Sequence, residues 1–89
     1  MPCRHYIVEG RVQGVFFRAS TKDYADDIGI KGWVRNQPNG NVEAVACGAE
    51  QQLATLEIWL NKGPPMAVVN RVKIEAWESA PDFTEFSIR

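Results

Sequence analysis

The sequence predicts an α+β sandwich with the element order βαββαβ, and three observations carry that expectation. The order strand, helix, strand occurs twice along the 89 residues. Apolar residues alternate where strands are read and recur on one face where helices are read. A Gln37-Pro38-Asn39-Gly40 turn joins the second and third strands as a hairpin.

Each element has its own signature. Residues 4–12 alternate around Tyr6, Val8 and Val12 and read as the first strand, ended by a glycine-containing loop. Residues 17–29 place Phe17, Thr21, Tyr24, Ala25 and Ile28 on one helical face. Lys22, Asp23, Asp26 and Asp27 fall on the other, as a solvated face, and Gly29 stops the helix. Residues 31–36 and 41–47 are the hairpin strands. The second helix spans 50–61 with Leu53, Leu56, Trp59 and Leu60 facing inward, and Gly63-Pro64-Pro65 ends it. Val68 to Trp77 alternate as a fourth strand, and Glu85 to Ile88 add a short edge strand.

This order gives the ferredoxin-like sandwich: a mostly antiparallel sheet in the order 4-1-3-2 with both helices on one face. The first and second strands run parallel through a right-handed crossover, and the third lies between them. Pairing the first and third strands so that Cys3 faces Cys47 also sets Tyr6 against Ala44 and Val8 against Val42, which keeps apolar residues together. The C-terminal ends of the first two strands then share one edge. Arg18 and Asn36, eighteen residues apart in the chain, converge there.

Composition bounds what such a site can do. Residues 1–89, 45% hydrophobic, suit one domain with a single core. A net charge of -1 and a pI near 5.7 argue against a general grip on nucleic acid, although a local site can still hold a small anion. The N-terminal Met1 to Tyr6 lacks an apolar leader and no stretch is long enough to span a membrane, so a soluble cytoplasmic protein is expected, and a monomer.

The run Gly10-Arg11-Val12-Gln13-Gly14-Val15-Phe16-Phe17-Arg18 is the most specific signal. It offers successive backbone N–H groups and a helix start to one anion, with a guanidinium alongside. An arginine opening a helix is ordinarily a solvated charge of unfavourable sign. An anion held between guanidinium and amides satisfies both. Other phosphate chemistries do not fit: there is no Gly-Lys-Ser/Thr, no Gly-x-Gly-x-x-Gly, and the place of a phosphatase thiolate is taken by Val12. His5 is the only histidine and no acidic cluster adjoins the loop, so neither metal nor cofactor is expected. Direct attack by water on a good leaving group remains.

That run, together with Gly32-Trp33-Val34-Arg35-Asn36-x-x-x-Gly40-x-Val42-Glu43, resembles the two signature segments of the acylphosphatase family, and length and element order agree over essentially the whole chain. The resemblance implies metal-independent hydrolysis of acyl phosphates to carboxylate and inorganic phosphate. It implies that Arg18 binds substrate and that Asn36 positions the attacking water. The amides of Gln13, Gly14, Val15, Phe16, Phe17 and Arg18 would cradle the phosphoryl oxygens, a cradle that inorganic phosphate or sulfate would also occupy. Gln37 stands where the family often has threonine, which puts a hydroxyl contribution there in doubt. Asn36 is too weakly basic to deprotonate water, so the proton passes to a phosphate oxygen.

The remaining candidates read as structural. Cys3 and Cys47 are favoured as two reduced thiols, with a disulfide as the alternative, far from Arg18 in either state. His5 sits on the face away from the helices, and the tryptophans pack at core or edge, with Trp33 bracing the strand that leads to Asn36. Two other functions stay open: an RNA-binding module, against which the strands lack an aromatic-rich segment, and a non-catalytic domain binding phosphate or carbamoyl phosphate. Nothing in the sequence marks a residue for the acyl group, so broad specificity is expected.

Overall fold

The computed structural model describes residues 1–78 and 83–89. Its elements are β1 (Cys3–Arg11), α1 (Phe17–Ile28), β2 (Lys31–Asn36), β3 (Val42–Cys47), α2 (Glu50–Lys62), β4 (Val68–Ala76) and β5 (Phe86–Ile88). The sheet order is β4-β1-β3-β2-β5. The four long strands stand as the sequence predicts, and the short fifth strand adds to the outer side of β2 in parallel.

The β1–β3 register runs from Cys3 opposite Cys47 to Val8 opposite Val42, the pairing that keeps the apolar face intact. On the other side of β3, Asn36 also faces Val42. Val8 and Asn36 therefore flank one residue, which brings the end of β2 level with the end of β1. A bulge at Glu9/Gly10 shifts the β1–β4 register, and Gly10 and Arg11 stay paired with Val69 and Val68 as β1 nears the loop. Gly10 has φ 135°, and a side chain there would strike the Val68 carbonyl oxygen, so only glycine allows β1 and β4 this approach.

The core lies between the helices and one face of the sheet. Tyr6, Val8, Val34, Val42, Ala44 and Ala46 pack against Ala25, Leu53, Leu56 and Leu60. Each leucine is fully buried, a contribution of roughly 2 kcal/mol apiece to holding α2 down. Trp59 is only half-buried: it stacks on Tyr24 with ring centroids 5.3 Å apart and meets Phe17 at 5.6 Å, tying α2 to α1. Asp23, Asp26 and Asp27 are exposed, as read from the sequence.

Polar groups along the sheet are paired. On the helix side, Arg4 Nη1 and the Tyr6 hydroxyl both donate to Glu57 Oε2, at 2.6 and 2.8 Å. Burial, and then the neighbouring Glu57 carboxylate, push the Tyr6 phenol well above its ordinary pKa, so it stays a neutral donor. On the open side, Glu43 accepts from His5 and Arg35, and His5 stacks on Trp77 at 5.3 Å. Trp33 lies there as well, with the Arg35 and Arg89 guanidinium carbons 5.2 and 5.1 Å from its ring.

Cys3 and Cys47 form a disulfide. The sequence reading favoured reduced thiols on compartment grounds. The register supplies the reason for the outcome: directly paired residues of neighbouring antiparallel strands have their Cβ atoms within bonding reach. No helix of the described residues is long and apolar enough to cross a membrane.

Candidate active site

The segment from Val12 to Phe16 joins β1 to α1, and its side chains alternate between two environments. Val12, Val15 and Phe17 are buried and anchor the loop in the core. Gly14, Phe16 and Arg18 between them are exposed. The loop is thus pinned from below while its outer surface stays accessible.

Two backbone features shape that surface. Gly14 has φ 73°, and no atom lies within 4 Å of where a side chain would begin. Its missing side chain leaves open space beside the main chain. Phe16 is the N-cap of α1 and adopts the left-handed conformation, φ 64° and ψ 24°, the one non-glycine residue of the described chain with positive φ. Such a conformation costs of order 1 kcal/mol or more for a residue with a side chain. The cap offers no side-chain hydrogen bond, and the first turn of α1 carries no acidic residue. The early amide N–H groups have no partner within the helix, and the dipole adds partial positive charge there.

A pocket of about 330 Å³ opens at this helix start. Gly14, Phe16, Phe17 and Arg18 supply one side of its wall, and Asn36 reaches it from the end of β2. The fold therefore brings together the two residues that the strand order placed at one edge. Asn36 Oδ1 is buried with no hydrogen-bond partner among the described residues. An orphaned buried acceptor costs free energy, which a hydrogen-bond donor brought within its reach would recover. Arg18 is exposed and forms no ion pair among the described residues, so its guanidinium is available to an anion.

Gln13 does something the sequence does not reveal. Its side-chain Nε2 donates to the Gln37 carbonyl at 2.7 Å and to the Asn41 carbonyl at 2.9 Å. These two residues close the β2–β3 turn, where Gln37 N–H donates to the Asn41 carbonyl at 2.8 Å. Gln13 thus fastens the loop to the segment that begins one residue after Asn36. Gln13 and Val15 are not part of the pocket wall. Val12, Ala19 and Ile88 are, and sequence reasoning passed over all three for this purpose. Ile88 arrives because β5 pairs Ile88 with Val34, two residues before Asn36. Among the described residues, no group of three or more His, Cys, Asp or Glu is placed to hold a metal ion.

The disulfide lies at the other end of β1 and β3 from this loop, too distant for either sulfur to act at the pocket. Against known proteins, the family model described as Acylphosphatase matches residues 4–88. An acylphosphatase of Marinobacter nauticus is 46% identical over 82 residues, covering 92% of this chain and 89% of that protein. The solved structure of an acylphosphatase from Coxiella burnetii superposes with TM-score 0.94 at 42% identity, covering 99% of this chain and 92% of that one. For the crystal structure of acylphosphatase from Bacillus subtilis the TM-score is 0.96 at 35% identity, with 100% and 99% covered.

Proposed function

Since this chain belongs to the acylphosphatase family and hydrolyses acyl phosphates, we propose that it does so with Arg18 and Asn36 across the pocket between β1 and β2. The observation that carries this reading is that Asn36, whose Oδ1 is left without a partner, lines the same pocket as Arg18, whose guanidinium forms no ion pair among the described residues. The phosphoryl oxygens sit on the backbone N–H groups of the Gln13–Arg18 loop, with Arg18 donating charge-assisted hydrogen bonds to them. The Asn36 side chain accepts from a water and holds it in line with the bond that breaks, between phosphorus and the acyl oxygen. Water oxygen bonds to phosphorus, the carboxylate departs with the electron pair, and the water's proton passes to a phosphate oxygen. A carboxylate is a good leaving group, so no general acid is needed. Catalysis is positioning and charge stabilisation.

Residues 1–89 act in this reading as one domain with one site, working as a monomer in the cytoplasm, and inorganic phosphate or sulfate competes for the loop. The Cys3–Cys47 disulfide runs against a reducing cytoplasm, so the mass of unreduced protein taken directly from cells tests the location: two thiols support it and an intact bond overturns it. The open sheet face offers little to RNA bases, because Trp33 is 7% exposed beneath two guanidinium groups.

Hydrolysis of benzoyl phosphate by the purified protein, with Arg18→Ala beside it, tests the assignment. Loss of one charge-stabilising group should lower kcat/KM by about 10³-fold and weaken inhibition by phosphate. Arg18→Lys should recover little of it, since a point charge cannot reproduce a planar fork. Near-normal turnover by Arg18→Ala would sink the assignment.

A further inference from the structure

We propose that Phe16 and Ile88 form an acyl-group subsite, so that this enzyme prefers acyl phosphates carrying an aryl or alkyl group to those whose acyl group is small or polar. The inference rests on the reading of the pocket as the acyl phosphate site. It starts from the division of the wall. Gly14, Arg18 and Asn36 make the polar part, where a phosphoryl group and a water belong. The other residues of the wall are apolar. Val12 and Phe17 are already buried in the core and serve as its floor. Phe16 is 79% exposed and Ile88 is 43% exposed, so these two still have apolar surface for a ligand to cover.

Phe16 has no structural reason to be what it is. The side chain buries almost nothing, and its backbone holds a left-handed conformation that glycine would adopt without strain. A large exposed aromatic ring on a strained residue at the mouth of a pocket is explained if the ring is covered when substrate binds. Ile88 is brought to the same pocket by the parallel pairing of β5 with β2, and the Arg89 N–H bond to the Val34 carbonyl at 2.8 Å fixes that strand beyond it. The two residues reach the pocket from the loop and from the sheet edge. An acyl group leaving the phosphoryl oxygen toward solvent has to pass apolar surface. Burying an aryl ring against it is favourable, while a methyl gains little and a charged or hydroxylated group loses hydration.

The test compares kcat/KM for benzoyl phosphate and acetyl phosphate in the wild type, Phe16→Gly and Ile88→Ser. Phe16→Gly should lower the ratio of the benzoyl to the acetyl value roughly tenfold, chiefly through the KM for benzoyl phosphate. Ile88→Ser should act in the same sense with a smaller effect. Because glycine relaxes the strained φ, the melting temperature of Phe16→Gly should hold or rise, which separates lost contact from lost fold. Equal losses on both substrates, or none on either, overturn the proposal. A second arm measures calorimetric affinity for benzylphosphonate and methylphosphonate, which needs no turnover. A wild type that binds the benzyl compound about tenfold better, with the advantage gone in Phe16→Gly, supports the subsite even if hydrolysis fails and the catalytic reading with it. Equal affinities for the two compounds, or no binding of either, overturn it.

Discussion

At Gly48-Ala49 the chain passes from β3 into α2 and closes the helix start with its own atoms: Gln52 Oε1 accepts the Ala49 N–H at 2.7 Å, and Glu50 sits in the first turn. The same Gln52 side chain donates to the Ile28 carbonyl at 2.7 Å and so ties the end of α1 to the start of α2. At Val12–Phe16 the chain passes from β1 into α1 with no side-chain cap, no acidic residue in the first turn, a strained non-glycine N-cap and an arginine of the wrong sign for the dipole. Both junctions lie in a strand–helix–strand half of one fold. The first meets one early amide, the Ala49 N–H, with a protein side chain, while the second meets none that way, and in the reading proposed above an anion takes that place. The site lies where the repeat declines to complete itself.

That contrast can be broken by mutation. After Arg18→Ala, the largest effect belongs to Asn36→Ala: kcat should fall about 10²-fold with little change in KM. Its melting temperature should hold or rise, because the buried acceptor being removed has no partner to lose. A fall in stability with kcat intact would move Asn36 from chemistry to architecture. Gln13→Ala removes two hydrogen bonds that hold the loop to the β2–β3 turn. We expect a roughly tenfold loss of kcat and about 1–2 kcal/mol of stability, read from urea unfolding beside steady-state rates. Gln52→Ala, in the closed junction, should cost about 1 kcal/mol, a fall of about 5 °C in Tm, and leave kcat/KM within about twofold. If Gln52→Ala instead impaired catalysis, the two junctions would not divide the labour as described.

The smallest effect concerns Glu43 and pH. Burial works against its carboxylate, yet hydrogen bonds from His5 and Arg35 overcome that and hold its pKa below the ordinary glutamate value. A carboxyl lowered on folding stabilises the native state in full above its unfolded pKa of about 4.3 and loses that contribution as pH falls through the lower folded value. Glu43→Gln should therefore flatten the acid limb of stability below about pH 4.3 while changing little of its slope near neutrality. Urea midpoints at a series of pH values check this.

Much of this was legible in the residues. Alternation, the Pro38-Asn39-Gly40 turn and the helix stops located each element to within a residue or so, because local propensity and core burial agree there. Setting Cys3 against Cys47 predicted the β1–β3 register, since a one-residue slip would turn Tyr6 and Val8 out of the core. The convergence of Arg18 and Asn36 on one pocket followed from topology. The Gln13 clamp was not legible, because its acceptors are main-chain carbonyls 24 and 28 residues away, and any residue type supplies a carbonyl. Ile88 was read as an edge-strand residue, and only the parallel pairing to Val34 carries it to the pocket. Phe16 looked like a loop amide donor. Its side chain acquires significance only once the left-handed backbone and the exposed ring are seen together.

The bond between Cys3 and Cys47 spans 44 positions of sequence and encloses the loop, α1, β2 and the turn after Asn36 in one covalent ring. Closing a ring of that size removes about 4 kcal/mol worth of freedom from the unfolded chain. A protease cut in the Pro38–Gly40 turn would leave both pieces tethered, so the fragment that carries Arg18 and Asn36 would keep β3 and α2 attached. Among the described residues after the ring, only Ile88 reaches the pocket wall. The groups assigned to phosphorus thus share one closed loop of chain, while one of the two assigned to the acyl group hangs outside it, where a change of residue can redirect preference without touching the ring.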